Sequence, residues 1–328
     1  MRYGHAIAQR LRKHGHHVIL TTREHPDTID VMKMLGEQAE IVGKYDPESL
    51  ATRLGASIER ELQFYEMFKD DKPQVAISHG SVELCRIAFG LGIKNICTGD
   101  TTYVKANRLI VPLADTLIIS KAIPKKIYRN YGAKNIVQYE GVDEVAWARP
   151  LKEEESESYE HPLIVARQTE FKASYIKGKD VTIDIAKKLT SLGNVLFLPR
   201  YTKEKIEGLT VPEEFVDSLS LVREADLVVS VGGTIAREAA LQGTPSIVVP
   251  VLGRSYVNDY VSKKGFPLFE AKPSDVLKYA KKYLGRHVVV SEMLTELENP
   301  VDVIERIIQG MPNRRKKLET IKRQNQCN

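Results

Sequence analysis

A glycine turn between two apolar segments is the stretch of this sequence best suited to chemistry. Gly232-Gly233 follows the apolar run Leu227–Val231 and precedes a segment with helical periodicity, within DLVVSVGGTIAREAALQGTPSIVVP. A buried parallel strand, a turn and a helix N-terminus together present unbonded N–H groups and the positive end of the helix dipole. The spacing indicates an anion site with Thr234 as the helix cap, although a Gly-Gly turn also serves backbone geometry alone.

Three further side chains belong to the same predicted site. Arg167 and Arg200 each follow a predicted strand, and the carboxyl ends of parallel strands share one edge of a sheet. A guanidinium group matches phosphate oxygens, so both arginines are predicted to bind phosphate. Glu238 lies one helical turn after Thr234, where a carboxylate can accept from ribose hydroxyls. The pattern matches neither the dinucleotide fingerprint G-x-G-x-x-G nor the P-loop.

Polar residues also follow predicted strands in the first half of the chain. Arg23 comes directly after the strand predicted over Val18–Thr22, where it either contacts a phosphate or sugar or pairs with a local acid. His79, Gly80 and Ser81 form a second junction of strand, glycine and helix, with Ser81 as a candidate cap. This junction lacks the G-x-S-x-G pattern, which excludes an α/β-hydrolase nucleophile.

Asp100 is the candidate catalytic group of the first half. It lies just past the predicted strand Ile93–Cys97, where a carboxylate is well placed to activate a hydroxyl. Asp100 is equally well placed to cap the following turn, and the sequence leaves both roles open.

Strands and helices alternate along the whole chain, which predicts an α/β fold with parallel sheets. The length of 328 residues favours two domains. Residues Lys152–His161, KEEESESYEH, are polar, acidic and without periodicity, as is typical of a linker. We predict a Rossmann-like domain over 1–151, a linker over 152–161, a second Rossmann-like domain over 162–310 and a basic tail over 311–328.

The first domain begins unusually, with a helix predicted over Tyr3–His14. A Rossmann-like domain normally begins with a strand and a ligand-facing loop. We therefore predict that the first strand is missing, through either a misplaced start codon or a truncation, and with it part of the active site.

A long helix predicted over Pro47–Lys69 carries a single apolar stripe. Side chains spaced about one turn apart normally form the face that packs on the core. We expect this packing face to consist of Leu50, Leu54, Ile58, Leu62 and Tyr65.

Composition is ordinary for a soluble globular protein, with 42% hydrophobic and 28% charged residues. The net charge is +5, and the segment from Met311 onward has six basic side chains and one acidic. This tail is interpreted as a solvated end, with weak contact to a membrane surface as the alternative. No signal-peptide, specific nucleic-acid or zinc pattern is present, and the three cysteines suit a reducing cytoplasm.

The segment Asp226–Pro250 resembles the nucleotide-binding segment of GT-B enzymes, which pair two Rossmann-like domains across a cleft. It is similar to the bacterial peptidoglycan N-acetylglucosaminyltransferase and to UDP-N-acetylglucosamine 2-epimerase. The whole chain resembles more closely an uncharacterised, largely archaeal GT-B-like family, a domain of unknown function. The segments that carry this resemblance are TTRE (Thr21–Glu24), LIVARQ (Leu163–Gln168), LFLPRY (Leu196–Tyr201) and VGGTIAREAALQGTPSI (Val231–Ile247).

The resemblance implies a cytoplasmic glycosyltransferase that takes a nucleotide-sugar donor in its second domain and an acceptor in its first. The acceptor is unknown, with a lipid-linked molecule and a polysaccharide as candidates, and neither a cofactor nor a metal ion is implied. The catalytic base is either Asp100 or a residue upstream of Met1. The implied donor-binding residues are Gly232, Gly233 and Thr234 for the phosphates, Arg167 and Arg200 for the leaving diphosphate, and Glu238 for the ribose.

Two alternatives remain open, a sugar-nucleotide 2-epimerase or hydrolase and a non-catalytic nucleotide-sugar-binding protein of the same fold. In the 2-epimerases a similar HGD segment bears a catalytic acid, and Ser81 occupies the aspartate position here. This departure argues against epimerase chemistry. It leaves acceptor or sugar binding as the expected role of His79, Gly80 and Ser81.

Overall fold

The computed structural model describes residues 1–148, 159–168, 180–200, 205–250 and 255–311. The predicted linker and the predicted basic tail, apart from a few residues, lie outside these ranges. Among the described residues, no helix combines the length and the apolar character that a bilayer-spanning segment needs.

The N-terminal half consists of parallel strands in two separate sheets. A two-stranded sheet pairs β1 (Thr21–Glu24) with β2 (Glu40–Lys44). A four-stranded sheet contains, in spatial order, β3 (Val75–His79), β4 (Lys94–Thr98), β5 (Thr116–Ser120) and β6 (Ile136–Tyr139).

The helices of this half are α1 (Arg2–Lys13), α2 (Pro26–Met34), α3 (Leu50–Phe68), α4 (Val82–Leu91), α5 (Asn107–Ile110) and α6 (Lys125–Arg129), with 3-10 turns at Val111–Leu113 and Asp143–Ala146. Side-chain caps fix where α3 and α4 begin. Ser49 Oγ accepts from the Thr52 N–H at 3.0 Å, and Ser81 Oγ accepts from the Leu84 N–H at 3.3 Å. The predicted capping role of Ser81 is therefore confirmed.

The division of the N-terminal sheet bears on the predicted missing strand. Both β1 and β3 lie at the edges of their sheets in the described residues. In the usual Rossmann order, 3-2-1-4-5-6, the first strand lies between the second and the fourth. If β1 and β2 are the second and third strands of that order, the position of a first strand falls between β1 and β3. The missing strand itself stays a prediction.

The C-terminal half is a five-stranded parallel sheet with the order β11-β10-β9-β7-β8. Its strands are β7 (Leu163–Arg167), β8 (Asn194–Leu198), β9 (Leu227–Ser230), β10 (Ser246–Val248) and β11 (Leu268–Glu270). Its helices are α7 (Thr182–Leu189), α8 (Ser218–Glu224), α9 (Gly233–Leu241), α10 (Tyr256–Lys263), α11 (Val276–Tyr283), α12 (Ser291–Thr295) and α13 (Pro300–Gln309).

Apolar side chains cover both faces of the C-terminal sheet. Ile164 and Val229 join one buried cluster, whereas their neighbours Val165 and Val228 join another on the opposite face. A strand covered on both faces is nearly continuously apolar. The run Leu227–Val231, which is apolar except for the buried Ser230, reflects this burial.

Two apolar contacts bind the halves together. One buried cluster contains Leu117 and Ile119 of β5 together with Ala236 and Ala240 of α9. In another cluster, α13 returns to the N-terminal half, where its apolar face packs with Tyr3, Ile7 and Leu11 of α1. Burial of apolar surface therefore holds the two halves in one arrangement.

The predicted packing face of α3 is wrong. Its Leu50 is 79% exposed, and the other stripe residues, Leu54, Ile58, Leu62 and Tyr65, are also exposed. The helix instead buries Ala56, Phe64 and Phe68, with α4 and β2 as its main neighbours. A stripe at helical spacing shows that one face is apolar, but it does not identify the face that the tertiary structure covers.

Candidate active site between the two halves

The first turn of α9 is open to solvent at the carboxyl edge of the C-terminal sheet. Gly232 is the N-cap residue, in an extended conformation, and no side chain caps the helix. The predicted cap Thr234 is wrong, because the helix begins at Gly233 and places Thr234 inside the first turn, where it is exposed. The first N–H groups of a helix have no partner within it, so this end suits an anion.

Gly233 is required by a close approach rather than by its backbone angles. A Cβ at this position would collide with the Arg237 guanidinium and would lie 2.9 Å from Asn258 Oδ1. At Gly232 a Cβ would have no heavy atom within 4 Å. The two glycines of the turn therefore serve different purposes.

The two predicted phosphate-binding arginines lie along the same sheet edge. Arg167 at the end of β7 is in register with Ser230 of β9 on one side and with Leu198 of β8 on the other. Arg200 follows β8, and its Nε donates to the Gln168 carbonyl at 3.1 Å. The Gln168 side chain also accepts from the Arg200 backbone N–H at 2.8 Å, which ties the ends of β7 and β8 together.

Arg237 of α9 joins the two halves through charged contacts. The side chain is only 4% exposed, and its Nη2 donates to Asp100 Oδ2 at 3.1 Å. The same nitrogen lies 2.7 Å from Glu144 Oε1, and Nη1 donates to Asn258 Oδ1 at 2.9 Å. Asp100 follows β4 and Glu144 lies in the 3-10 turn after β6, so one buried cation contacts two strand ends of the opposite half.

Electrostatic effects act differently on these carboxyl groups. Burial by itself would raise the pKa of Asp100, but Arg237 and His79 outweigh it and hold that pKa below its ordinary value. For Glu144, burial dominates and raises the pKa despite the contact with Arg237. The pKa values of Asp100 and Glu144 therefore shift in opposite directions, although both carboxylates contact Arg237.

His79 stands at the mouth of this cluster and is exposed. Its Nδ1 is hydrogen-bonded to Thr98 Oγ1 at 2.7 Å, and its Nε2 lies 3.9 Å from Asp100 Oδ1. Asp143 lies on the other side, with Oδ2 at 3.7 Å from His79 Nδ1. The Tyr139 hydroxyl donates to Asp143 Oδ1 at 2.6 Å, and burial raises the pKa of the Asp143 carboxyl.

Glu238, the predicted ribose ligand, is buried in this conformation. Its Oε1 accepts from the indole nitrogen of Trp147 at 2.7 Å, a contact between the two halves. Burial raises the pKa of Glu238 to about 7, although the Trp147 hydrogen bond opposes the shift. Glu238 could bind a ribose only if a ribose hydroxyl replaced the Trp147 indole N–H as the donor to its carboxylate.

The remaining predicted residues lie apart from the Arg237 contacts. Arg23 falls within β1 rather than after it, because the strand begins later than predicted, and its guanidinium stacks 4.3 Å from the Tyr45 ring centre. Gly80 turns the chain between β3 and α4 with φ of +72°, a conformation that favours glycine. Ser81 caps α4, and its hydroxyl donates to Glu83 Oε2 at 3.1 Å.

The structure adds site residues that the sequence did not single out. In the segment TIAREAA, Arg237 resembles an ordinary polar residue on the surface of a helix. Its spacing of about one helical turn from Gly233 is the feature that could have indicated a role in the site. Asp143 and Glu144 are carboxylates that follow the strand β6. Trp147, the single tryptophan of the chain, completes this group.

Two Rossmann-like halves with parallel sheets, and charged groups gathered where their strand ends meet, define a GT-B-like α/β protein. The sequence profile of the family described as "Protein of unknown function (DUF354)" matches residues 1–311. The chain belongs to this family. The match confirms the predicted relationship to a family of unknown function.

A relative in sequence and several solved structures are similar to this chain. "Uncharacterized protein MJ0665" of Methanocaldococcus jannaschii is 29% identical over 317 residues, which cover 91% of each chain. The UDP-GlcNAc 2-epimerase of the same organism, solved with UDP-GlcNAc and UDP, is 13% identical with a TM-score of 0.65 and covers 94% of this chain and 96% of that chain.

Glycosyltransferase structures are also similar. The glycosyltransferase SnogD from Streptomyces nogalater is 13% identical with a TM-score of 0.56 and covers 93% of this chain and 94% of that chain. MurG from Acinetobacter baumannii is 13% identical with a TM-score of 0.51 and covers 94% and 95%. At these identities the similarity establishes the fold, which confirms the predicted GT-B-like architecture, and leaves the activity open.

Proposed function

We propose that this protein binds a nucleotide-sugar and transfers the sugar to a hydroxyl group of an acceptor. One observation carries the proposal. The helix α9 exposes an anion-binding first turn at Gly232, Gly233 and Thr234, and one turn later its Arg237 contacts Asp100 of the other half. A donor phosphate on this turn would therefore lie close to a carboxylate that can act on an acceptor.

On the donor side, the groups around the α9 turn would act through electrostatics. The N–H groups of its first turn and the Thr234 hydroxyl would bind the phosphates. Arg167 and Arg200, on neighbouring strands at the same edge, would stabilise the negative charge that develops on the leaving diphosphate. Glu238 would bind the ribose after release from Trp147.

On the acceptor side, Asp100 would serve as general base. The acceptor oxygen forms a bond to the anomeric carbon while the bond from that carbon to the diphosphate breaks. The acceptor proton passes to Asp100, and the bonding electrons leave with the diphosphate. The lowered pKa keeps Asp100 ionised before the reaction, which this step requires. His79, Gly80 and Ser81 would line the acceptor side.

A 2-epimerase or hydrolase is the second candidate, favoured by the similarity to the epimerase fold. The use of Ser81 as a cap of α4, at the position where the epimerase segment has its acid, supports transfer over epimerisation. A binding protein without catalysis is the third candidate.

The test combines binding with product analysis. We expect UDP or GDP and one of their sugar conjugates to bind by isothermal titration, and a labelled sugar to move to an acceptor in a lipid or polysaccharide extract. Arg200→Ala should weaken binding of the nucleoside diphosphate at least tenfold, with Arg306→Ala on the distant α13 as the matched control. A labelled 2-epimer or free sugar would favour the second candidate. Binding without any product would favour the third, and no binding at all would refute the proposal.

A further inference from the structure

Three metal-ligating side chains converge at the acceptor-side edge of the N-terminal sheet. His79 ends β3, Asp100 follows β4 and Asp143 follows β6. One ligand atom from each, a ring nitrogen and two carboxylate oxygens, lies within 4.8 Å of the other two. A cation placed among them would therefore be within reach of all three side chains after small adjustments.

Each of these side chains is held by a hydrogen bond at its other polar atom. His79 Nδ1 is hydrogen-bonded to Thr98 Oγ1 at 2.7 Å, and Asp143 Oδ1 accepts from Tyr139 at 2.6 Å. Asp100 Oδ2 accepts from Arg237 at 3.1 Å, and its Oδ1 accepts from the adjacent Thr101 hydroxyl at 2.8 Å. Outer hydrogen bonds of this kind orient the ligands of metal sites. His79 Nε2 lies 3.9 Å from Asp100 Oδ1, and Asp143 Oδ2 lies 3.7 Å from His79 Nδ1, so the three side chains remain close to one another.

Asp143 supplies an independent sign of a ligand. The residue is only 5% exposed, yet its Oδ2 accepts no hydrogen bond from the described residues. A buried carboxylate oxygen without a hydrogen-bond donor is costly, and native structures normally satisfy such an atom. A bound cation would satisfy it.

The charge of the cluster fits a divalent ion. The Arg237 guanidinium contacts the carboxylates of Asp100 and Glu144, and the buried carboxyl group of Asp143 lies in the same cluster as Asp100. With all three carboxyl groups ionised, one guanidinium leaves two negative charges uncompensated. A divalent cation balances them, and protons on the buried carboxyl groups are the competing way to do so.

We propose that His79, Asp100 and Asp143 bind a divalent transition-metal ion of the zinc or manganese class. One imidazole nitrogen and two carboxylate oxygens suit these ions, and three protein ligands leave positions open for water or substrate. The binding of the ion stands independently of the proposed transfer. Its role rests on the proposed function: an acceptor hydroxyl in an open position would lose its proton more easily, and Asp100 would then orient the metal ion instead of acting as the base.

The experiment uses the full chain, stripped with a chelator and titrated with Co²⁺ as a visible probe and with Zn²⁺ by calorimetry. We expect one equivalent of Co²⁺ to produce a d–d absorption band and Zn²⁺ to displace it. His79→Ala and Asp143→Asn should each weaken binding by about 10–100-fold. The matched controls His287→Ala and Asp302→Asn should bind as the wild type does, and circular dichroism should establish that every variant is folded.

Absence of the band in the folded wild-type chain overturns the metal site, as does equal affinity in the site variants and their controls. Nucleotide-sugar titrations of the stripped chain separate this outcome from the proposed function. A stripped chain that binds donor but no metal refutes only the metal site. A chain that binds metal but no donor refutes only the proposed transfer.

Discussion

The two strand edges that meet at the candidate site are encoded in different ways. On the donor side, Gly232, Gly233 and Thr234 are consecutive, and local rules for strands, turns and helix ends are sufficient to locate the turn they form. On the acceptor side, His79, Asp100 and Asp143 follow three different strands and meet only through the sheet order β3-β4-β5-β6. A contiguous motif is thus visible before the fold is known, whereas a dispersed cluster depends on topology.

The two edges also differ in how well a buried carboxyl group is compensated by its hydrogen-bond partners. Asp100 is matched by Arg237 and keeps a lowered pKa. Glu238 has a neutral indole N–H as its hydrogen-bond partner, and its pKa is raised to about 7. The same helix, α9, therefore carries two buried charged side chains. Arg237 is well compensated by its carboxylate partners, and Glu238 is poorly compensated.

Removing the compensating cation should have the largest effect on stability. In Arg237→Ala, Asp100 and Glu144 lose their counter-charge, so we expect a loss of about 3–5 kcal/mol in the free energy of unfolding. Urea titration at pH 7 measures this loss. The exposed Arg306→Ala should change stability by less than about 0.5 kcal/mol. If both arginine variants unfold at the wild-type urea concentration, Arg237 does not compensate the acceptor-side charges.

Glu238→Gln should show the opposite behaviour, as a stabilising change that depends on pH. The folded-state pKa of Glu238 lies above the ordinary value of 4.5. The contribution of Glu238 to the free energy of unfolding is therefore fully present below about pH 4.5 and is lost as the pH rises through about 7. At pH 8 the variant should be more stable than the wild type by about 2–3 kcal/mol. The difference should shrink toward pH 4.

Urea titrations between pH 4 and pH 8 measure this prediction, with the exposed Glu292→Gln as control. A constant difference between Glu238→Gln and the wild type across that range would contradict the idea that Glu238 is poorly compensated.

The two glycines of the donor-side turn should respond differently to the same substitution. Gly233→Ser places a Cβ against Arg237 and Asn258, and overpacking of this kind costs about 1–3 kcal/mol. Gly232→Ser places its side chain in open space at an N-cap position and should change stability by no more than about 0.5 kcal/mol. Thermal unfolding of the pair measures the contrast, and equal losses would show that Arg237 does not restrict the turn.

Loss of the acceptor-side cap should have a smaller effect than the loss of Arg237 or the change at Glu238. Ser81→Ala removes the side-chain acceptor of the Leu84 N–H and should cost about 1 kcal/mol, whereas Ser81→Thr keeps the cap. Urea titration of both variants measures the difference. A loss in the threonine variant equal to that in the alanine variant would mean that packing around Ser81, rather than capping, stabilises this turn.

Periodicity and turn chemistry predicted much of the fold. The α/β class, the glycine turn before α9 and the Ser81 cap all depend on short-range rules, and the structure has each of them. The Thr234 cap was wrong by two residues, because the helix begins at Gly233 and its N-cap residue is Gly232. The α3 stripe failed because its burial depends on which neighbours the helix meets.

The contacts of Arg237 were beyond the reach of the sequence for a related reason. Its partners Asp100 and Glu144 lie in the other half of the chain, and no local pattern links them to TIAREAA. Only the tertiary fold shows that this arginine is buried and paired. The donor-side arginines were easier to find, since each lies at or just past the end of an apolar strand.

The return of α13 to the N-terminal half has a consequence for dividing the molecule. A cut within the predicted linker would separate α1 from the apolar face of α13 that covers Tyr3, Ile7 and Leu11. The first fragment would then expose this surface, while the second would carry the helix that fits it. Neither fragment is expected to be a self-sufficient unit, and the two produced together should reassociate through this helix like the parts of a split protein.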